Sequence, residues 1–187
     1  MSRLLLRLWL PVAVGVAVLV TPTFAVAAPT TTLPIQILDD CDAVTFNAAV
    51  APGTCIGTGA ITFSQFIGEL TRMHSAPQWR FAPAQVTMHV DQTFMAINRG
   101  GEVHSFTEVA HFGGSVVDGL NTLSGAGPTI PECAAAAAAF RAHAPDSSFL
   151  LQGGSLTDTE TSDDVGHPVL YQCCIHPWMH ETITVQP

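Results

Sequence analysis

The chain has 187 residues, 48 % of them apolar and only 11 % charged. It contains no lysine, and six arginines against 15 acidic residues give a formal charge of −9, a balance that argues against nucleic acid and anionic membrane surfaces as partners. Five cysteines form an odd set, so pairing in an oxidising compartment leaves one thiol over.

Arg3 and Arg7 flank a leucine-rich start, an apolar run continues to Val20, and small residues follow in "TFAVAAP". A basic start, a short apolar run and an A-x-A site at Ala25 to Ala27 describe a secretory signal peptide over residues 1–27. An uncleaved membrane anchor is the competing reading; Pro11, a run of only about 17 residues and the small-residue exit favour cleavage after Ala27. Processing leaves four arginines against 15 acids, a formal charge of −11. The expected product is an exported protein, periplasmic or extracellular, of about 160 residues, enough for one domain with its own core.

Residues 28–78 read as an N-terminal extension carrying one short helix. Its first part, 28–60, is rich in Thr, Pro, Ala and Gly and reads as an irregular lead-in stapled by a Cys41–Cys55 bridge. "TFSQFIGELTRMH" then places Phe63, Phe66, Ile67 and Leu70 at helical spacing, with Thr62 and Gln65 as a capping box. That apolar stripe is read as core packing rather than a binding face. From Trp79 the period changes to two: Val86, Met88 and Val90 share one face, Phe94 and Ala96 follow, and Val103 to Val109 resumes after "RGG", the pattern of antiparallel strands. Trp79 and Phe81 alternate as core, and Met88 and Met95 fit strand packing.

Residues 113–130 read as a Gly/Ser/Thr-rich loop. "PECAAAAAAFRAHAP" reads as a helix, with Pro131 in the first turn, Glu132 suited to the dipole there and Pro145 beyond the end. The tail returns to strands in "SFLLQGG", "SLTDTETS", "HPVLYQCC" and "ETITVQP", and the acids at 158–164 read as a solvated negative edge. The whole is an all-β sandwich with helical additions: a β-domain over 79–187 interrupted by an insertion at 113–146.

The chemistry concentrates in "YQCCIHPWM", Tyr171 to Met179, between two strands. Cys173, His176 and Met179 fall at spacing C-x2-H-x2-M, and a loop of that length can turn three side chains toward one point. Thiolate, imidazole and a weak thioether, completed by a second histidine, form the donor set of a trigonal copper site with a long axial methionine. The second histidine must come from elsewhere: His104, after a Gly-Gly turn, and His111, in "AHFGG", are the two donors in view. The plainer account is a disulfide corner with Met179 and Trp178 as core. His74, His89, His143, His167 and His180 lack such company and read as surface or packed histidines.

These residues resemble the cupredoxin family of small blue-copper electron carriers. "YQCCIHPWM" is similar to the amicyanin loop, in which Tyr-x-Cys-x2-His-Pro-x-Met carries three ligands, and "N-x5-H" at Asn98 and His104 is similar to the segment that supplies the first histidine. The resemblance covers roughly residues 80–112 and 148–186. It implies a Greek-key β-sandwich, one copper ion cycling between Cu(I) and Cu(II), and His104, Cys173, His176 and Met179 as ligands. The chain departs from the pattern at Ser105, where relatives often carry asparagine, in the 113–146 insertion and in residues 28–78.

Neighbouring residues on a strand point to opposite faces, so Cys173 and Cys174 do not readily serve one centre. Cys174 leaves a single residue before His176, a tight reach, which favours Cys173 as ligand. Cys174 then faces away, and a Cys133–Cys174 bridge would close the count. The expected function is single-electron transfer between redox partners rather than catalysis, with His176 on an exposed loop as the electron port, Pro177 and Trp178 as an apolar docking patch and a basic partner protein. A copper storage, delivery or resistance module is the alternative, and an enzyme with an open copper position ranks third.

Overall fold

The computed structural model describes residues 31–145 and 147–187, so the segment read as a signal peptide lies outside the described residues. In chain order the elements are β1 Leu33–Leu38, α1 Ala43–Ala49, α2 Phe63–Met73, β2 Arg80–Ala82, β3 Gln85–His89, β4 Thr93–Asn98, β5 His104–Ser105 and β6 Thr107–Val109. They continue with α3 Asp118–Ser124, α4 Pro131–Arg141, β7 Phe149–Leu150, β8 Ser155–Thr159, β9 Pro168–Gln172 and β10 His180–Gln186. Among the described residues, no helix is long and apolar enough to cross a membrane.

Alternation of apolar and polar side chains builds two four-stranded sheets, ordered β2-β1-β4-β8 and β3-β10-β9-β6, with β5 and β7 as a short separate ladder. Ile35, Ile37, Phe81 and Phe94 of the first sheet meet Met88, Tyr171, Ile183 and Val185 of the second in one buried core. Phe106 stacks on Tyr171 at 4.4 Å and Phe94 closes the trio at 5.6 and 5.5 Å. Aromatic pairs of this kind add about 0.5–1.5 kcal/mol each beyond the area they bury. The architecture is therefore a β-sandwich with helical additions, the class implied by the strand pattern. Pairing is mixed rather than purely antiparallel: β1 runs parallel to β4 and β10 parallel to β3.

Two stretches differ from their sequence reading. The lead-in at 28–60 holds β1, an interior strand in register with β4 (Ile35 opposite Ala96) and β2 (Ile37 opposite Phe81), so it is part of the sandwich and not an extension to it. Ile35 and Ile37 are both fully buried, which is the force that recruits this segment. The loop at 113–130 holds α3, fixed by Asn121: its amide oxygen accepts from the Ser115 amide (2.7 Å) and hydroxyl (2.9 Å), and its amide nitrogen donates to the Ser115 carbonyl (2.8 Å). Gly125, at φ +73°, ends the helix as its left-handed cap.

Other features match. The Thr62 hydroxyl accepts from the Gln65 amide and the Gln65 side chain accepts from the Thr62 amide, the reciprocal cap expected of α2. α4 begins at Pro131 with Glu132 in its first turn. Cys41–Cys55 and Cys133–Cys174 are disulfides, and Cys173 is a free, buried thiol.

The acids at 158–164 are not uniformly solvated. Glu160 is 4 % exposed with one oxygen unpartnered. Burial, and then the neighbouring carboxylates of Asp164, Asp158 and Glu108, push its carboxyl up to about 7. A folded-state value above the unfolded one favours the neutral acid, so this group's contribution is complete below about pH 4.5 and is lost as pH rises through about 7.

Two stability measurements follow from this packing. Chemical denaturation of Ile37→Ala should show a loss of about 2–5 kcal/mol, as for any buried core strand, whereas Gln36→Ala on the exposed face should stay within about 0.5 kcal/mol. Glu160→Gln should raise the melting temperature at pH 8 and leave it unchanged at pH 4.

Candidate metal centre

The loop after β9 is tied at both ends. The Cys173 amide donates to the Met179 carbonyl and the Met179 amide to the His176 carbonyl, each at 3.0 Å, so six residues close into a compact turn. On the facing side, Asn98 donates to the carbonyls of Glu102 (2.8 Å) and Leu150 (2.9 Å), and accepts from the Gly100 amide (3.0 Å). Gly100 and Gly101 are required here: a Cβ on Gly101 would lie 2.6 Å from the Gly57 backbone and 2.7 Å from the Cys41 sulfur. This tight packing delivers β5 to the loop with His104 pointing inward.

Three donors converge. Cys173 Sγ lies 3.8 Å from His104 Nδ1 and 3.7 Å from His176 Nδ1, and the two rings are 4.9 Å apart. Metal bonds of about 2.3 Å to sulfur and about 2.0 Å to nitrogen, set near 120°, place sulfur and nitrogen about 3.7 Å apart. The observed spacings match that requirement, and the donor chemistry suits copper. All three residues are buried, at 0, 0 and 2 % exposure for Cys173, His104 and His176. Met179, the fourth expected donor, is 1 % exposed and closes the loop through the backbone bonds above. His111 is exposed and outside the cluster; His104 is the histidine that the fold brings to Cys173 and His176.

The imidazoles are fixed from behind by carboxylates. His104 Nε2 is 2.8 Å from Asp39 Oδ2, and His176 Nε2 is 3.5 Å from Glu102 Oε2, which also accepts from the Trp79 indole. Each ring thus turns Nδ1 toward the sulfur, the tautomer and orientation a metal-binding histidine needs. Asp39 is itself an anchor, accepting from the amides of Cys41, Gly101 and Glu102 at 3.2, 2.9 and 3.0 Å. Burial opposes its ionisation, but His104 and these amides hold it well below the usual carboxylate range. A further grouping of Asp39, Cys41 and Glu102 offers no ligand set, because Cys41 is in a disulfide and both acids face the imidazoles.

Burial alone would raise the Cys173 thiol; hydrogen bonds from His104 and His176 and the charge on those rings hold it well below its ordinary value instead. These surroundings favour the thiolate, the form that binds metal. Burial likewise disfavours charge on His176, and Cys173 and Glu102 outweigh it, pushing the ring up to about 10. Ser105 adds a lock: its amide donates to the Cys173 sulfur at 3.4 Å, and its hydroxyl accepts from the Cys174 amide at 2.7 Å.

His176 is not on an exposed loop, contrary to the sequence expectation. The rings of Phe66, Trp79 and Trp178 surround it at 6.4, 6.5 and 5.5 Å, Phe66 being brought there by α2, which folds over the loop instead of standing apart. Pro177 is buried, and Trp178 is partly exposed with its indole donating to the Ala76 carbonyl at 3.2 Å. Asp39 and Glu102 were missed by sequence reasoning. Glu102, two residues before His104, carried a weak positional signal; Asp39 carried none.

No family model and no curated protein matches the chain. Among solved structures it is similar to a purple cupredoxin from Nitrosopumilus maritimus, 16 % identical over 82 % of this chain and 99 % of that one, with a TM-score of 0.39. It is also similar to an oxidised mutant of amicyanin, 12 % identical over 87 and 89 % of the two chains with a TM-score of 0.38. A reduced amicyanin mutant is 19 % identical over 57 and 73 %, with a TM-score of 0.35. These belong to the family that the C-terminal segment resembles. At such low identities the centre stands on this chain's own distances and burial.

Asp39→Asn keeps the shape of the His104 anchor and removes its charge. Chelator competition should report a loss of about 10–100-fold in metal affinity, with the β-sheet signal in circular dichroism retained.

Proposed function

We propose that this chain is an exported, mononuclear copper protein of the cupredoxin type that passes single electrons between redox partners. The observation that carries this reading is one buried free thiol with two imidazole Nδ1 atoms at 3.8 and 3.7 Å, while the other four cysteines are consumed in disulfides. His104, Cys173 and His176 would hold the ion, with Met179 as the weak fourth donor. Copper, when bound, supplies the one-electron couple.

The chain's own residues do the rest. Asp39 and Glu102 fix the imidazoles, and Ser105 and the loop's backbone bonds fix the sulfur, so the donors need little rearrangement when charge changes. Burial of His104, Cys173 and Met179, at 0, 0 and 1 % exposure, limits the access of water and competing ligands to the ion. It also favours an electron carrier over a delivery module, because metal exchange between proteins needs a donor within reach of the acceptor. Trp178, a partly exposed aromatic residue of the loop with its ring 5.5 Å from His176, would face the redox partner. The acidic chain would favour a basic partner surface.

The test is an optical spectrum of the copper-loaded protein beside its Cys173→Ser variant. The wild type should show an intense visible thiolate-to-copper band, and the variant should lose it. A variant that kept the band would overturn the ligand assignment.

A further inference from the structure

The stripe on α2 divides into two parts. Phe66 and Leu70 are buried in the core, but Phe63 and Ile67 are only partly covered. Together with Leu120 and Leu123 of α3 and Ile175 of the loop, these two wall a cleft of about 300 Å³ whose floor is His176 and Glu102. The walls are almost wholly apolar. The floor carries a carboxylate whose two contacts, Trp79 Nε1 and His176 Nε2, both fall on Oε2. Oε1 takes neither of these contacts, and Glu102 lines the cleft.

We propose that this cleft binds a small aromatic molecule bearing one hydroxyl, that is, a phenol or naphthol. A cleft of this volume cannot enclose even one helical turn, which at about 10 Å across and 5.4 Å long exceeds about 400 Å³, whereas a single ring fits inside it. A cavity of about 300 Å³ is at the lower end for small-molecule sites, and apolar walls with one convergent polar group are their usual lining. The aromatic and branched walls select a ring, and an acceptor oxygen whose neighbouring nitrogens are engaged with Oε2 suits a ligand that brings its own O–H. The bound ring would lie against His176, on the opposite side from Cys173. The inference goes beyond the copper reading: the cleft shares His176 with the proposed metal site, but its walls, Phe63, Ile67, Leu120, Leu123 and Ile175, hold no metal.

The test is a titration of the metal-free and the copper-loaded full chain with 1-naphthol and with naphthalene, read by methyl NMR at Ile67, Leu120, Leu123 and Ile175. The expected result is saturable shifts at these methyls with 1-naphthol in both forms, and at least tenfold weaker binding of naphthalene. Gly119→Phe should abolish the shifts: Gly119 borders the cleft, and a Cβ there meets nothing within 4 Å, so a ring can be added at the cleft's rim without displacing backbone. Leu120→Trp provides a second blocked variant should the first fail to fold. Non-saturable shifts, equal binding of naphthalene, or full binding by a folded blocked variant would each overturn the proposal. Because the metal-free protein is read as well, loss of binding is distinguishable from loss of the copper centre, which the visible spectrum reports separately.

Discussion

The constraint on which the site depends is a buried sulfur anion. A thiolate taken out of water is costly unless positive or hydrogen-bonding groups surround it, and Cys173 is fully buried. Two imidazoles face it and the Ser105 amide donates to it. Each imidazole is backed in turn by a carboxylate. Charge thus alternates from Asp39 through His104 to the sulfur, and again through His176 to Glu102. Remove any member and a neighbour is left buried with an unmatched charge.

That alternation explains why the chain folds its N-terminal segment over the site. Asp39 follows directly on β1, and Glu102 sits against Trp79 just before β2. Both carboxylates are positioned by the same packing that buries Ile35 and Ile37. The sandwich core and the charge pattern are therefore linked: β1 cannot leave its sheet without withdrawing the partner of His104. The Cys41–Cys55 disulfide closes this corner, and the Gly57–Gly101 approach keeps the loop before β5 in place.

Much of this was legible from residues alone, where donors are close in sequence. Cys173 and His176 sit three positions apart on one short turn, so their spacing carries their 3.7 Å approach. His104 needed a family resemblance to separate it from His111, since the fold brings it 69 positions across to the sulfur. The Cys133–Cys174 bridge emerged from alternation and counting. The carboxylates were illegible because acids occur throughout the chain and neither has periodic company. β1 was hidden by brevity: "LPIQIL" buries only two side chains outright and contains a proline. α3 was hidden because glycine, serine and threonine surround it and no side chain caps its start. The burial of His176 followed from the misjudged role of residues 31–78.

The most direct measurement of the central claim is X-ray absorption at the copper edge on the loaded, full-length chain. The account predicts one short copper–sulfur bond and two imidazole nitrogens in the first shell. A shell of nitrogen and oxygen without short sulfur, or with two sulfurs at equal distance, would contradict it.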